Sequence, residues 1–329
     1  MPKIKFEGAN FLLELKKRLY IYVAIDFALA IIAGYLFDFR KMNIKPVIMA
    51  AVFIMLYPML TGMEIERIKK AGKNFKLIIA TLIFVYFIAS ITAFFISRSI
   101  LKNEPDVALA MVMVGAIPCS NMLIGWSGIA DASVEDALVI AVAGLLLIPL
   151  ISPIIIKISG GIFVSFNVKF LAALLLSYIL IPLFFGFITR HFIIKKKGVK
   201  YFMEVKKYFP GISAIGILLI VFFSVAKVSR MVIAKPSIFI IIFLGLFIYY
   251  IVQTILSIIA AKSLKLKYEQ GMILILGATA SSQAISLGVA ATMFSSLTTF
   301  SLSFKPILQV LYIMFLIYFI GPKLKYFLS

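Results

Sequence analysis

The chain is a succession of apolar runs about twenty residues long, separated by short basic segments. A helix of about 20 residues spans a hydrocarbon core about 30 Å thick, whereas barrel strands show shorter, alternating segments. That alternation is absent here. Hydrophobic residues make up 63% of the chain, against about 45–50% in a soluble domain. The fold class expected is therefore an all-α membrane protein with the lipid bilayer as its solvent. Ten spans are expected, over 19–37, 46–60, 77–97, 107–129, 137–156, 168–187, 212–228, 238–260, 271–294 and 306–320. The first run is too long for a cleavable leader, carries Asp26 and lacks a small-residue cleavage site. Residues 1–18 read as an amphipathic arm lying in the interface.

The net charge of +20 follows the loops. About two thirds of the 33 Lys and Arg fall on one side: in the arm, in the segments after the second, sixth and eighth spans, and in the last residues. Cationic loops stay in the cytoplasm, so a plasma-membrane protein with both termini cytoplasmic is expected. No soluble basic stripe interleaved with aromatics is present, which argues against nucleic acid as a partner. One cysteine and one histidine build neither a disulfide framework nor a metal site. There is no phosphate-binding loop of the G-x-x-x-x-G-K-[ST] type. No catalytic group, cofactor or enzymatic activity is expected. The long basic segment near 188–208 divides the spans into two sets of five, residues 19–160 and 161–329. An odd number per set makes them insert with opposite orientation, as an inverted repeat.

Within the fourth span stands "GAIPCSN", residues 115–121; 162 positions later, within the ninth, stands "GATASSQ", residues 277–283. Pro118 removes one helical hydrogen bond, to the carbonyl of Val114, and Gly115 weakens the same turn. Ser120 and Asn121 are suited to capping a restarted helix. In the second stretch Gly277 and Thr279 mark the break, with no proline. Paired interruptions at matching places in two halves point to a binding site near the bilayer midplane. Restarted helices offer N–H groups to an anionic or polar cargo. Side-chain oxygens of Ser281, Ser282, Gln283, Ser120 and Asn121 suit a polar cargo or a cation. The plainer reading is close helix packing through small residues. Cys119 is then a small buried hydrophobe, and Trp126 a packing or interface residue.

Asp26 is an acid inside a span, a candidate for an ion path or a side chain that reaches water. Asp131, Glu135 and Asp136 form an acidic vestibule or a solvated turn. Gln253 and Gln309 read as interhelical hydrogen-bonding groups.

Four stretches together resemble the bile acid:sodium symporter and arsenical resistance-3 transporter superfamily, with a closer likeness to its arsenite efflux permeases. They are "IKPVIMAAVFIMLYPMLTGMEIERI", "PCSNMLIGWSGIADASVEDALV", "GATASSQAISLGVAATMF" and "FKPILQVLYIMFLIYF". The resemblance implies ten helices in two inverted five-helix repeats. The fourth and ninth helices would be discontinuous and cross at the midplane, and a panel and a core would rock against each other. It places Cys119 on the cysteine required for arsenite transport. It places Gln283 on an acid tied to proton exchange or sodium binding. Glutamine offers an amide oxygen there but no charge, which opens both Na+ and H+ as coupling ions.

The function expected is a secondary active transporter that exports arsenite, and antimonite with it. The alternative is a carrier of a small organic anion, sodium-coupled or uncoupled. The cargo is thus an inorganic or organic anion or a neutral oxyacid. A homodimer is left open. A receptor or scaffold would leave the paired breaks without a purpose, and no charged ring or carbonyl-filter sequence points to a channel.

Overall fold

A computed structural model describes residues 9–39, 42–62, 74–118 and 121–328. All regular structure among them is helical. The amphipathic α1 (Ala9–Lys17) leads into α2 (Leu19–Leu36) and α3 (Lys45–Thr61). Helix α4 (Phe75–Ile83) continues through a π turn (Phe84–Ile88) into α5 (Ala89–Ser99). Then come α6 (Pro105–Ala116), α7 (Asn121–Ile129), α8 (Val134–Gly160), α9 (Val168–Lys206), α10 (Phe209–Ala234) and α11 (Ser237–Ser263). The remainder is α12 (Tyr268–Thr279), α13 (Gln283–Met293), α14 (Ser296–Ser303), α15 (Lys305–Phe315), a second π turn (Leu316–Ile320) and α16 (Gly321–Phe327).

Seven helical stretches among the described residues are long and apolar enough to cross a membrane. The three expected spans that are not among them have physical reasons to differ. Helix α3 is short. The fourth span is divided into α6 and α7, and the ninth into α12 and α13. The tenth begins earlier than its hydropathy suggests. Its helical stretch covers Ser296–Phe327, because the "SLTTFSLS" run folds as helix rather than loop. The hydroxyls of Thr299, Ser301 and Ser303 donate back to the carbonyls of Ser295, Leu297 and Thr299 at 2.8–3.2 Å. These bonds satisfy side chains that water would otherwise have to solvate. Helix α9 likewise continues beyond residue 187 through the basic segment, with a break in direction at Gly198 (φ +81°).

Two groups of helices result. Helix α10 lies along α2 and α3, and α3 along α9; the other group holds α4–α8 and α11–α16. The groups meet chiefly where α13 and α14 touch α3, α9 and α10. One apolar cluster crosses that junction. A second cluster, built around α12 and α7, contains no residue of α2, α3, α9 or α10 among those described.

The ends of the bundle carry different polar contacts. At one end Lys76 Nζ donates to the Leu264 carbonyl (3.0 Å), Tyr268 donates to the Ala130 carbonyl (3.0 Å), and Lys325 pairs with Asp131 (3.4 Å). At the other, Lys235 pairs with Glu104, and Asp106 accepts from Ser295 (2.6 Å) and Thr298 (3.0 Å). Helices α6, α7, α12 and α13, of 12, 9, 12 and 11 residues, each run from one of these ends to a break. The breaks therefore sit about half-way through the bundle.

Candidate functional site

The two breaks cross. Helix α6 stops at Ala116, Ile117 is extended (φ −114°, ψ 101°), and Pro118 forms an antiparallel bridge with Ser281. Helix α12 stops at Thr279, Ala280 is extended (φ −88°, ψ 145°), and the Ser282 N–H donates to the Pro118 carbonyl at 3.1 Å. Unwound backbone in an apolar interior loses several kcal/mol per unsatisfied group. Here neighbouring side chains take up the freed groups. Ser90 donates to the Gly115 carbonyl (3.2 Å) and Ser152 to that of Ala116 (2.6 Å). The Ser281 N–H donates to Gln309 Oε1 (3.2 Å), and the Ser282 hydroxyl caps α13 by accepting from Ile285 N–H (3.4 Å).

The residues singled out in the sequence fare differently. Pro118, Ser281 and Ser282 form the crossing itself. Gly115 acts through size: a Cβ there would lie 2.6 Å from the Ala89 carbonyl oxygen and the Ala93 Cβ, so its absence lets α6 lie against α5. Gly277 is less confined, with Thr81 Cγ2 at 3.2 Å from a Cβ position. The Thr279 hydroxyl donates back to the Ile275 carbonyl (2.8 Å) within its own helix, which occupies its proton. The Ser281 hydroxyl and both amide atoms of Gln283 are enclosed and have no hydrogen-bond partner among the described residues. Gln283 is 3% exposed. Cys119 and Ser120 lie outside the described residues, in the two positions between Pro118 and the start of α7. Asn121 supplies the first residue of α7.

Asp26 lies half-buried on α2, with one carboxylate oxygen enclosed and without a hydrogen bond among the described residues. Its neighbour Phe27 packs against Phe239, Phe300 and Phe304 at ring distances of 4.9–6.1 Å. Trp126 packs beside the apolar cluster of α12. The acidic turn forms a helix start. Glu135 and Asp136 occupy the first turn of α8, where carboxylates favour the positive helix end, Ser133 caps it, and Asp131 pairs with Lys325. No group of three or more His, Cys, Asp or Glu able to hold a metal occurs among the described residues.

One central residue has no counterpart in the sequence reading. Lys305 is 1% exposed, and its ammonium donates to the Ser282 carbonyl (3.1 Å) and the Ser286 hydroxyl (3.3 Å). It follows α14, which returns from the bundle end to the level of the crossing. A span starting at 306 sets this lysine at the membrane edge; the observed stretch from Ser296 sets it mid-span. The signal in the sequence is a cation flanked on both sides by helix-compatible, solvent-poor residues. Gln309 is an interhelical group as expected, and its partner is the break itself. Beyond it, Thr254 shares a hydrogen bond with Tyr312 (2.7 Å), whose ring stacks on Tyr250 at 5.2 Å. Adjacent Gln253 is fully buried with both amide atoms unpartnered among the described residues.

Residues 49–235, more than half of the chain, match the profile of the Sodium Bile acid symporter family. An "Arsenical-resistance protein Acr3" of Alkaliphilus metalliredigens (strain QYMF) is 28% identical over 199 residues, covering 56% of this chain and 55% of that protein. The chain thus matches about half the length of that relative. A second "Arsenical-resistance protein Acr3", from Corynebacterium glutamicum, is 20% identical over 330 residues, 93% of this chain and 89% of its own. An uncharacterized transporter of Synechocystis sp. is 24% identical over 273 residues, 76% and 70% of the two chains.

Two substitutions test the crossing. Gln309→Leu leaves the Ser281 N–H without its acceptor and should cost about 1–3 kcal/mol, read as a lower Tm of the detergent-purified protein and faster amide exchange at Ser281. Gly115→Val drives a side chain into the α5 backbone and should destabilise by about 1–3 kcal/mol or more. A Tm equal to that of the wild type would show that α5 and α6 are not so closely apposed.

Proposed function

The chain belongs to the sodium bile acid symporter family, and from that premise we propose that it is a secondary active carrier exporting arsenite, and antimonite with it, by alternating access. The observation that carries the proposal is the mid-bundle crossing of two unwound segments, held by the Pro118–Ser282 hydrogen bond. Both restarted helices, α7 and α13, begin there, so their first-turn N–H groups gather at one place. The unpartnered Ser281 hydroxyl and Gln283 amide are groups that a polar cargo would satisfy. Cys119, the chain's sole cysteine, belongs to this segment. Trivalent arsenic prefers soft thiolate ligands. One thiol displacing one hydroxide, with release of water, gives a capture weak enough to reverse on the far side. Hydroxyls of Ser120 and Ser281 and the amides of Asn121 and Gln283 then hold the remaining oxygens.

Two relatives bear the name arsenical-resistance protein, which favours arsenite over a small organic anion as cargo. The architecture proposed is ten spans in two inverted halves, residues 19–160 and 161–329, after an arm over 1–18. The basic end of the bundle faces the cytoplasm, with both termini, by the distribution of Lys and Arg.

The two helix groups supply the alternation. At the end with Glu104 and Lys235 they are joined by that ion pair, and nearer the middle by the ring cluster of Phe27, Phe239, Phe300 and Phe304. Toward the basic end, the apolar cluster around α12 packs within its own group. On this reading the Glu104–Lys235 end is the outward gate, and the opposite end is where the groups would part.

Expression in an arsenite-sensitive bacterium should raise resistance, and everted vesicles should accumulate arsenite. Cys119→Ser should abolish both; undiminished transport by this variant rules the arsenite reading out. A second experiment addresses the gate. The double variant Glu104→Cys/Lys235→Cys, oxidised in intact cells, should form a cross-link, stop transport, and recover on reduction. Full transport with the cross-link in place would mean that this end does not open.

A further inference from the structure

We propose that Lys305 is a tethered monovalent cation: its ammonium fills an ion position at the crossing, and the carrier works there without a bound sodium ion. The inference rests on the crossing being the transport site, but not on which cargo it takes.

Two of its contacts are of the kind that hold an alkali ion. Broken helices in transporters bind such ions through unwound carbonyls and nearby hydroxyls. Lys305 Nζ takes one of each, the Ser282 carbonyl at 3.1 Å and the Ser286 hydroxyl at 3.3 Å. The same two residues are bonded to each other, the Ser286 hydroxyl donating to the Ser282 carbonyl at 2.6 Å. The position is also placed where an ion would matter. Ser282 caps α13 with its hydroxyl, and its N–H holds the other break through Pro118. The ammonium thus lies one residue from the atoms that join the two halves.

The remaining chemistry fits. A cation with 1% exposure is costly inside a membrane protein, and such a residue is kept for a function. Position 283, next to the carbonyl that Lys305 holds, is a neutral amide, 3% exposed, with neither end of the amide hydrogen-bonded among the described residues. An anionic carboxylate there would invite a mobile cation. A fixed ammonium beside a neutral amide supplies the single positive charge from the chain itself. A lysine bears a compact ammonium on a flexible stem, which matches a monovalent ion in size and charge better than arginine's planar fork does.

The test is thermal unfolding of the purified full chain in detergent, titrated with NaCl at constant ionic strength against choline chloride. The wild type should show no saturable sodium-specific rise in Tm. Lys305→Met should lower Tm, and sodium, but not choline, should restore part of the loss with saturation. Adding Ser286→Ala to Lys305→Met should remove that restoration. A saturable sodium stabilisation of the wild type would overturn the proposal, and so would a folded Lys305→Met protein whose Tm ignores sodium. If Lys305→Met does not fold, the wild-type titration still decides, together with Lys305→Arg. The arginine variant should keep the wild type's indifference to sodium but lose Tm, and a variant as stable as wild type would count against a fitted ion position. None of these outcomes bears on arsenite itself, which the Cys119→Ser experiment judges separately.

Discussion

A peptide group inside an apolar medium has to be hydrogen-bonded, and everything in the middle of this protein follows from breaking that rule twice in one place. Two helices unwind half-way through the bundle, which frees carbonyl and N–H groups where water is scarce. The cost is offset mutually. One break supplies the Pro118 carbonyl and the other the Ser282 N–H, so neither segment is stable in that form without its partner. Three surrounding helices complete the arrangement: Ser90 on α5, Ser152 on α8, and Gln309 and Lys305 on α15. Left without a partner among the described residues are the Ser281 hydroxyl, the Gln283 amide and Nε2 of Gln309. Enclosed polar groups of this kind carry a cost until something pairs with them.

This explains what was legible beforehand. Helical membrane character was written in the lengths of the apolar runs, and the breaks in the co-occurrence of glycine, proline and hydroxyl residues at matching places. Those signals are local, because helix interruption is decided within a turn or two. The partners of the breaks were not legible, because they come from other helices. Ser90 and Ser152 look like ordinary small residues in apolar spans. Gln309 was noticed as a polar group, but its acceptor role depends on α15 passing Ser281. Lys305 was hidden by hydropathy itself. The hydroxyl run before it lowers the apparent apolarity, so the span seems to begin after the lysine. In the fold those hydroxyls bond to carbonyls one turn back, and a stretch that reads as loop is buried helix.

The division into two groups has a related cause. Helices α13 and α14 touch both groups, and Tyr178 of α9 shares a hydrogen bond with Thr292 of α13. The half-helices α7 and α12 instead pack within one group. A broken helix allows this, since its two halves need not move with the same neighbours. In the second pair α13 joins the interface between the groups, while α12 packs, among the described residues, within its own. A continuous helix in either position would couple both ends rigidly. On the proposed reading, the same loss of helical hydrogen bonds would serve both the cargo and the motion.

Charge is the remaining constraint on how such a carrier operates. A cargo crossing with a mobile cation alters the net charge of the site as it loads and unloads. A site whose positive charge is covalently attached keeps it throughout. Lys305 lies on α15, in the same group as both breaks, so its ammonium would travel with the crossing rather than be left behind when the groups rock. Trivalent arsenic bound as a neutral hydroxide by one thiol adds no charge of its own. The loaded and empty sites would then differ by little electrostatically, so binding and release add no change of charge to the standing cost of the buried ammonium. Neutral cargo, neutral amide at 283 and fixed ammonium at 305 form a consistent set. Substituting an acid for the amide alone would change the charge state of the site in every step of the cycle.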